Sequence, residues 1–183
     1  MKIKESCGPM KLFWGLCLGG LAWLVASGGS VKAMAPVNNQ HREEAIRQLY
    51  QNYKKCFPEV PEVSPKEAMK LVQEGQAVLV DVRPAAERSV SRLPGAISKT
   101  EFLNGLVSYR GKTIIAYDTI GYRSGLFVEE LRGKGVNLTN LEEGLLGWLR
   151  AGGKIYDDHG ETRRVHVYGP MWNYAPSNCE TVR

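Results

Sequence analysis

The sequence predicts an α/β fold, a central parallel sheet flanked by helices, and two observations carry that prediction. Short apolar runs rich in β-branched residues stand at 77–80 and 113–117, with a third strand expected over 136–140. A strand apolar on both sides of its pleat must be covered on both faces. Between these runs lie stretches with helical three-and-four spacing, so strands and helices alternate.

The chain has 183 residues, 43% of them apolar and 23% charged, values of an ordinary globular domain with appendages. Residues 1–35 read as an address. Lys2, Lys4 and Lys11 precede an uncharged run over 12–26, and small and polar residues follow over 27–30. That order is that of a signal peptide. Fifteen residues fall short of the roughly 20 that span a hydrocarbon core as helix. Ala33 and Ala35 fit a small-x-small cleavage site, although Pro36 is an awkward residue to follow a cut. Two readings therefore stand, a cleaved signal or an N-terminal membrane anchor, and both imply export to the periplasm or beyond. Leu16 before Cys17 argues against a lipoprotein site.

Residues 36–61 are read as an amphipathic helix and a linker. Ala45, Ile46, Leu49, Tyr50 and Tyr53 recur at helical spacing opposite Arg42, Glu43, Glu44, Arg47 and Gln51. Pro58 and Pro61 end the helix. The main domain is placed at 62–156. Ser64, Pro65 and Glu67 supply an N-cap, a first helical residue and the far side of a capping box, and Gly75 closes that helix. After the 113–117 strand, Leu126, Phe127, Glu130 and Leu131 mark a helix; another is expected around 145–150 before Gly152 and Gly153. Residues 157–183 are read as a C-terminal hairpin and an aromatic tail. Residues 154–156 and 162–168 flank a turn at 157–160, and Trp172 and Tyr174 are expected to cover part of the domain.

Charge removes one class of function. The formal net charge is +5, but 1–35 hold four lysines against Glu5, leaving 20 basic and 18 acidic side chains beyond. With no basic stripe, no nucleic-acid partner is expected. His41, His159 and His166 are scattered without carboxylates or thiols at ligand spacing, so no metal site is expected, and nothing implies a cofactor. Once the leader is removed, Cys56 and Cys179 are the remaining cysteines; they are either a disulfide or two unrelated thiols.

In an open α/β sheet, ligands bind beyond the carboxyl ends of the strands, which directs attention to the loop after the 113–117 strand. It runs Asp118, Thr119, Ile120, Gly121, Tyr122, Arg123, Ser124. A short loop closing onto a helix start aims successive N–H groups inward and forms an anion cradle, with Arg123 offering a planar fork.

Asp81, Arg83 and Glu87, then 93–97, the loop ending at Ser124, 141–144 with Trp148, and finally Ala151 and Gly152 together resemble the rhodanese domain in order and approximate spacing. The resemblance spans about 62–156. It implies a five-stranded parallel sheet, and an active loop opening with a cysteine that carries sulfane sulfur as a persulfide. It also implies that Asp81 and Arg83 are structural, tied into a buried ion-pair network. Arg92 stands where the family commonly has histidine, and no catalytic role is assigned to it.

This sequence departs from the family where the cysteine belongs, because that position is Asp118. A carboxylate cannot form and break a sulfur–sulfur bond. Three roles for Asp118 follow. It is an N-cap filling the cradle with an internal anion, a recognition group selecting neutral or cationic ligands, or a nucleophile or base in hydrolysis. The last is the weakest, because no second aspartate stands two residues on. The expectation is an exported rhodanese-like protein without thiosulfate sulfurtransferase activity, a module binding an unidentified protein or small molecule at the loop. The alternative is a sulfurtransferase or sulfur carrier that uses Cys56 or Cys179.

Overall fold

The computed structural model describes residues 39–167 and 173–183. The leader expected over 1–35, Tyr168 and Trp172 lie outside the described residues. Five strands form one parallel sheet: β1 (Glu62–Val63), β2 (Ala77–Asp81), β3 (Ile97–Ser98), β4 (Thr113–Tyr117) and β5 (Thr139–Leu141), in the order β1-β5-β4-β2-β3. β4 is central, with Leu79 beside Ile115 and Asp81 beside Tyr117. The helices are α1 (Asn39–Lys54), α2 (Pro65–Gln73), α3 (Ala85–Val90), α4 (Lys99–Asn104), α5 (Tyr122–Arg132) and α6 (Gly144–Arg150). None of the helices among the described residues is long and apolar enough to cross a membrane.

Alternate strand residues serve opposite faces of the sheet. Leu79, Ile115, Tyr117 and Leu141 join a core with Ala68 of α2 and Leu145, Leu146 and Trp148 of α6. Val80, Ile114 and Ala116 are also buried and turn the other way. On that side α5 packs on β4, and its Phe127 meets Phe102 of α4 edge-on at 6.5 Å. Each of these fully buried apolar side chains contributes about 1.5–3 kcal/mol to the fold.

Three sequence expectations are corrected. The strand expected over 136–140 forms at Thr139–Leu141, because Val136 N–H is taken by Leu131 O at the end of α5, and pairing with β4 starts at Thr139. Only half of the Ser64 capping box is made: Ser64 Oγ accepts from Glu67 N–H at 3.3 Å. The full box occurs at the start of α4, where Ser98 and Glu101 exchange both bonds. The strand expected over 162–168 is divided. β6 (Ile155–Tyr156) and β7 (Glu161–Thr162) make the anticipated hairpin, with Asp157 Oδ1 accepting from His159 and Gly160 N–H in the turn. β8 (Arg164–His166) turns away and pairs in parallel with β9 (Glu180–Val182), a strand inside what reads as an aperiodic tail.

Candidate functional site

The loop 118–124 opens where β4 ends and closes into α5. Gly121, at φ +91°, caps α5 from the left-handed region that favours glycine. A second glycine in that region, Gly144 at φ +55°, lets α6 begin against the loop backbone. A Cβ there would lie 2.3 Å from Asp118 O. Through this approach Leu145 N–H donates to Asp118 O at 2.8 Å and Leu146 N–H to Thr119 O at 3.1 Å.

The donors of the cradle converge on one group. Asp118 is 1% exposed. Its Oδ1 accepts from Gly121 N–H at 2.6 Å and from Ser124 Oγ at 3.1 Å. Its Oδ2 accepts from Arg123 N–H at 3.3 Å and Arg123 Nε at 3.1 Å. The cradle therefore holds the chain's own carboxylate. Arg123 turns its other face to Glu87, with Nη1 to Oε1 at 2.7 Å and Nη2 to Oε2 at 2.8 Å. Burial pulls the Arg123 guanidinium down, but its bonds to Glu87 and the charges of Asp118 and Glu87 outweigh this and hold it above its ordinary value. Thr119 Oγ1 sits beside the pair, 3.4 Å from both Glu87 Oε2 and Arg123 Nη2. Ile120 packs against the hydrophobic core.

Another member of the loop, Tyr122, meets α1. Its ring lies 4.6 Å from that of Tyr53 and 6.4 Å from that of Phe57. Asn140 Nδ2 donates to Gly121 O at 3.0 Å and to Tyr50 OH at 3.1 Å, while Tyr50 OH donates to Glu62. Burial and the bond to Glu62 both push the Tyr50 phenol far above its usual value.

The remaining residues singled out in the sequence lie outside the loop. Asp81 and Arg83 form a buried two-bond pair, Nε to Oδ1 at 2.9 Å and Nη2 to Oδ2 at 2.7 Å, and Arg83 Nη2 also reaches Ser91 O at 2.6 Å. Tyr117 OH joins it by donating to Asp81 Oδ2 at 2.7 Å. Arg92 pairs with Asp158 at 2.6 Å and its backbone bridges Tyr156. Cys179 is a free thiol, so the candidate disulfide between Cys56 and Cys179 is not formed. The physical reason is placement: Cys179 lies just before β9 and lines a cavity of about 250 Å³ with Arg163 and Leu149, whereas Cys56 follows α1. Burial raises the Cys179 thiol above its ordinary value, with Arg163 opposing. Among the described residues no three His, Cys, Asp or Glu side chains gather as a metal site.

Sequence reading missed Glu87, Asn140 and Tyr50 as parts of the site. Glu87 belongs to the quoted motif, and the available signal was an acidic residue on an otherwise apolar face of a short helix. Asn140 and Tyr50 act by tertiary contact, which leaves no local spacing to find.

The family described as Rhodanese-like domain matches residues 64–151. The chain carries a rhodanese-like domain. A thiosulfate sulfurtransferase from Pseudomonas aeruginosa shares this fold at TM-score 0.51 and 20% identity, over 61% of this chain. The match spans only 23% of that protein's own length. A Bacillus halodurans protein aligns with TM-score 0.47 and 21% identity over 62% of this chain and 87% of its own. A rhodanese-related protein from Thermoplasma volcanium aligns with TM-score 0.45 and 20% identity over 52% of this chain and 96% of its own. No curated protein gives a significant match. The rhodanese-like domain is thus related to sulfurtransferases.

Proposed function

We propose that this chain is an exported rhodanese-like protein without thiosulfate sulfurtransferase activity that works as a binding or regulatory module, its protein or small-molecule partner docking at the loop 118–124. One observation carries the reading: the Asp118 carboxylate occupies the cradle and accepts from Gly121, Ser124 and Arg123. A donor anion entering the loop would have to displace a covalently attached anion that already satisfies those groups. Asp118 also supplies no sulfur to carry a persulfide.

The alternative sulfur carriers are poorly suited. The nucleophile in sulfur transfer is the thiolate, and burial disfavours that form of Cys179. Cys56 lies in the turn after α1, outside the loop 118–124. Export rests on the sequence of 1–35 alone, and fractionation of cells carrying the tagged full chain tests it.

The test of activity is thiocyanate formation from thiosulfate and cyanide by the purified protein, beside Asp118→Cys, Cys56→Ser and Cys179→Ser. A silent parent and turnover by Asp118→Cys are expected. Turnover by the parent that a cysteine substitution abolishes overturns the reading.

A further inference from the structure

Asp118 lies at the carboxyl edge of a central strand, where an α/β sheet normally presents its ligand site, yet it is almost fully buried. Part of the covering comes from before the sheet begins. A Cβ on Gly121 would lie 2.6 Å from Tyr50 Cε2, and one on Gly125 would lie 2.3 Å from the Phe57 ring. Both glycines of the segment that starts α5 are therefore filled by aromatic rings of α1 and the turn after it. Tyr53 adds a third ring, 4.6 Å from that of Tyr122. Space that a glycine loop would leave for a ligand is taken by the chain's own aromatics.

The hold on this cover is modest and localised. Of the described side chains of α1, only Ile46 and Tyr50 are buried. Its polar anchors are Glu62, which receives both Tyr50 OH and Lys54 Nζ, with Asn140 tying Tyr50 to the loop, and, at its other end, Ala175 O, which accepts from Arg42 Nη1 at 2.6 Å. Residues 55–61, which join α1 to β1, are turns and bends carrying Pro58 and Pro61. The sheet, by contrast, is continuous from β1 to β3 and buried on both faces. Segments with few buried apolar contacts open at lower free energy than the core does.

We propose that α1 is a gate: it docks Tyr50 and Tyr53 beside Phe57 over the loop 118–124, the Glu62 contacts latch it, and the loop becomes accessible when α1 swings away on the turn that follows it. This inference concerns access to the loop and does not depend on which chemistry or partner the loop serves.

Two measurements on the full chain test it together. Native hydrogen exchange reads the opening of α1 and of the sheet separately, and alkylation of an Asp118→Cys thiol by iodoacetamide, located by peptide mapping, reads access to the loop. Amides of α1 are expected to exchange at least tenfold faster than those of β2 and β4. Glu62→Gln and, separately, Tyr53→Ala are expected to accelerate both α1 exchange and alkylation at position 118 about tenfold while leaving β2 and β4 unchanged. Exchange of α1 only at the rate of β4 overturns the gate, since α1 is then an integral layer. Faster α1 exchange without faster alkylation also overturns it, because the loop is then reached by another route. Two variants guard against one simply misfolding: acceleration of β2 and β4 by both substitutions counts against the proposal.

Discussion

Asp118 Oδ2 and Arg123 Nε face each other at 3.1 Å across the loop they delimit, and Glu87 grips the opposite edge of the same guanidinium. One cation thus separates two buried carboxylates, which fixes its side chain between them. Removing it leaves the carboxylates uncompensated. Arg123→Gln is expected to lower stability by roughly 3 kcal/mol, read from urea unfolding at neutral pH, and Glu87→Gln in the same chain is expected to return part of the loss. Arg123→Lys restores the charge without the planar fork and is expected to fall between. An Arg123→Gln protein as stable as the parent would sink this account.

Filling a cradle with its own carboxylate predicts rescue. Asp118→Ala strands the N–H groups of Gly121 and Arg123 and the Ser124 hydroxyl, a loss of about 1–3 kcal/mol. Formate or acetate fits the vacated space and charge. Each is expected to raise the melting temperature of Asp118→Ala well beyond any effect on the parent, with chloride at equal ionic strength as control. Equal responses of the two proteins would show that the cradle collapses once empty.

The two loop glycines predict different penalties. A methyl at Gly121 meets the edge of the Tyr50 ring at 2.6 Å and Leu141 O at 3.2 Å, whereas one at Gly144 meets backbone atoms of Asp118, Ile120 and Gly121 at 2.3–2.9 Å. Both positions also carry positive φ. Gly144→Ala is expected to destabilise by more than Gly121→Ala, by at least about 1 kcal/mol, given the size of overpacking penalties. Thermal unfolding of the two variants side by side decides, and the reverse order refutes the packing described for α6.

Alkaline pH should unfold the protein steeply. Burial, then the Asp81 charge, pushes the Tyr117 phenol well above its usual range; burial and Glu62 do the same for Tyr50. A phenol whose folded value is raised ionises first in the unfolded chain, so its stabilising contribution is complete below about pH 10 and declines as pH rises beyond it. Stability is expected to fall above that point, with phenolate absorbance appearing together with unfolding. Tyr50→Phe should make the fall shallower, and an unchanged slope would remove Tyr50 from the account.

Much of this architecture was legible because its signals are local. The residues of 77–80 and 113–117 are apolar without alternation, as sandwiched strands must be, and Ser64 with Pro65 announces α2 by chemistry that needs no partner. The loop residues were legible for the same reason, since Gly121 and the residues around it sit within one turn of a helix start. β1 and β3 were not, because two residues carry no period; their pairing is decided by Asn140 and Val80 across the sheet. β9 was hidden likewise: Glu180, Thr181 and Val182 become a strand only because β8 offers an edge. Glu87 and Tyr50 lie 31 and 68 residues before Asp118 in the chain, a separation that only folding removes.

The strand order also sets a sequence of assembly. β1 pairs with β5 and with no other strand, so Glu62 waits for Asn140, and α1, immediately before β1, finds the Tyr122 and Asn140 side of its berth only after most of the sheet's connections have formed. Contacts between such distant residues carry the largest loop-closure cost and come late. The first described helix is therefore among the last elements to settle, and it comes to rest on a loop whose carboxylate has already been taken in.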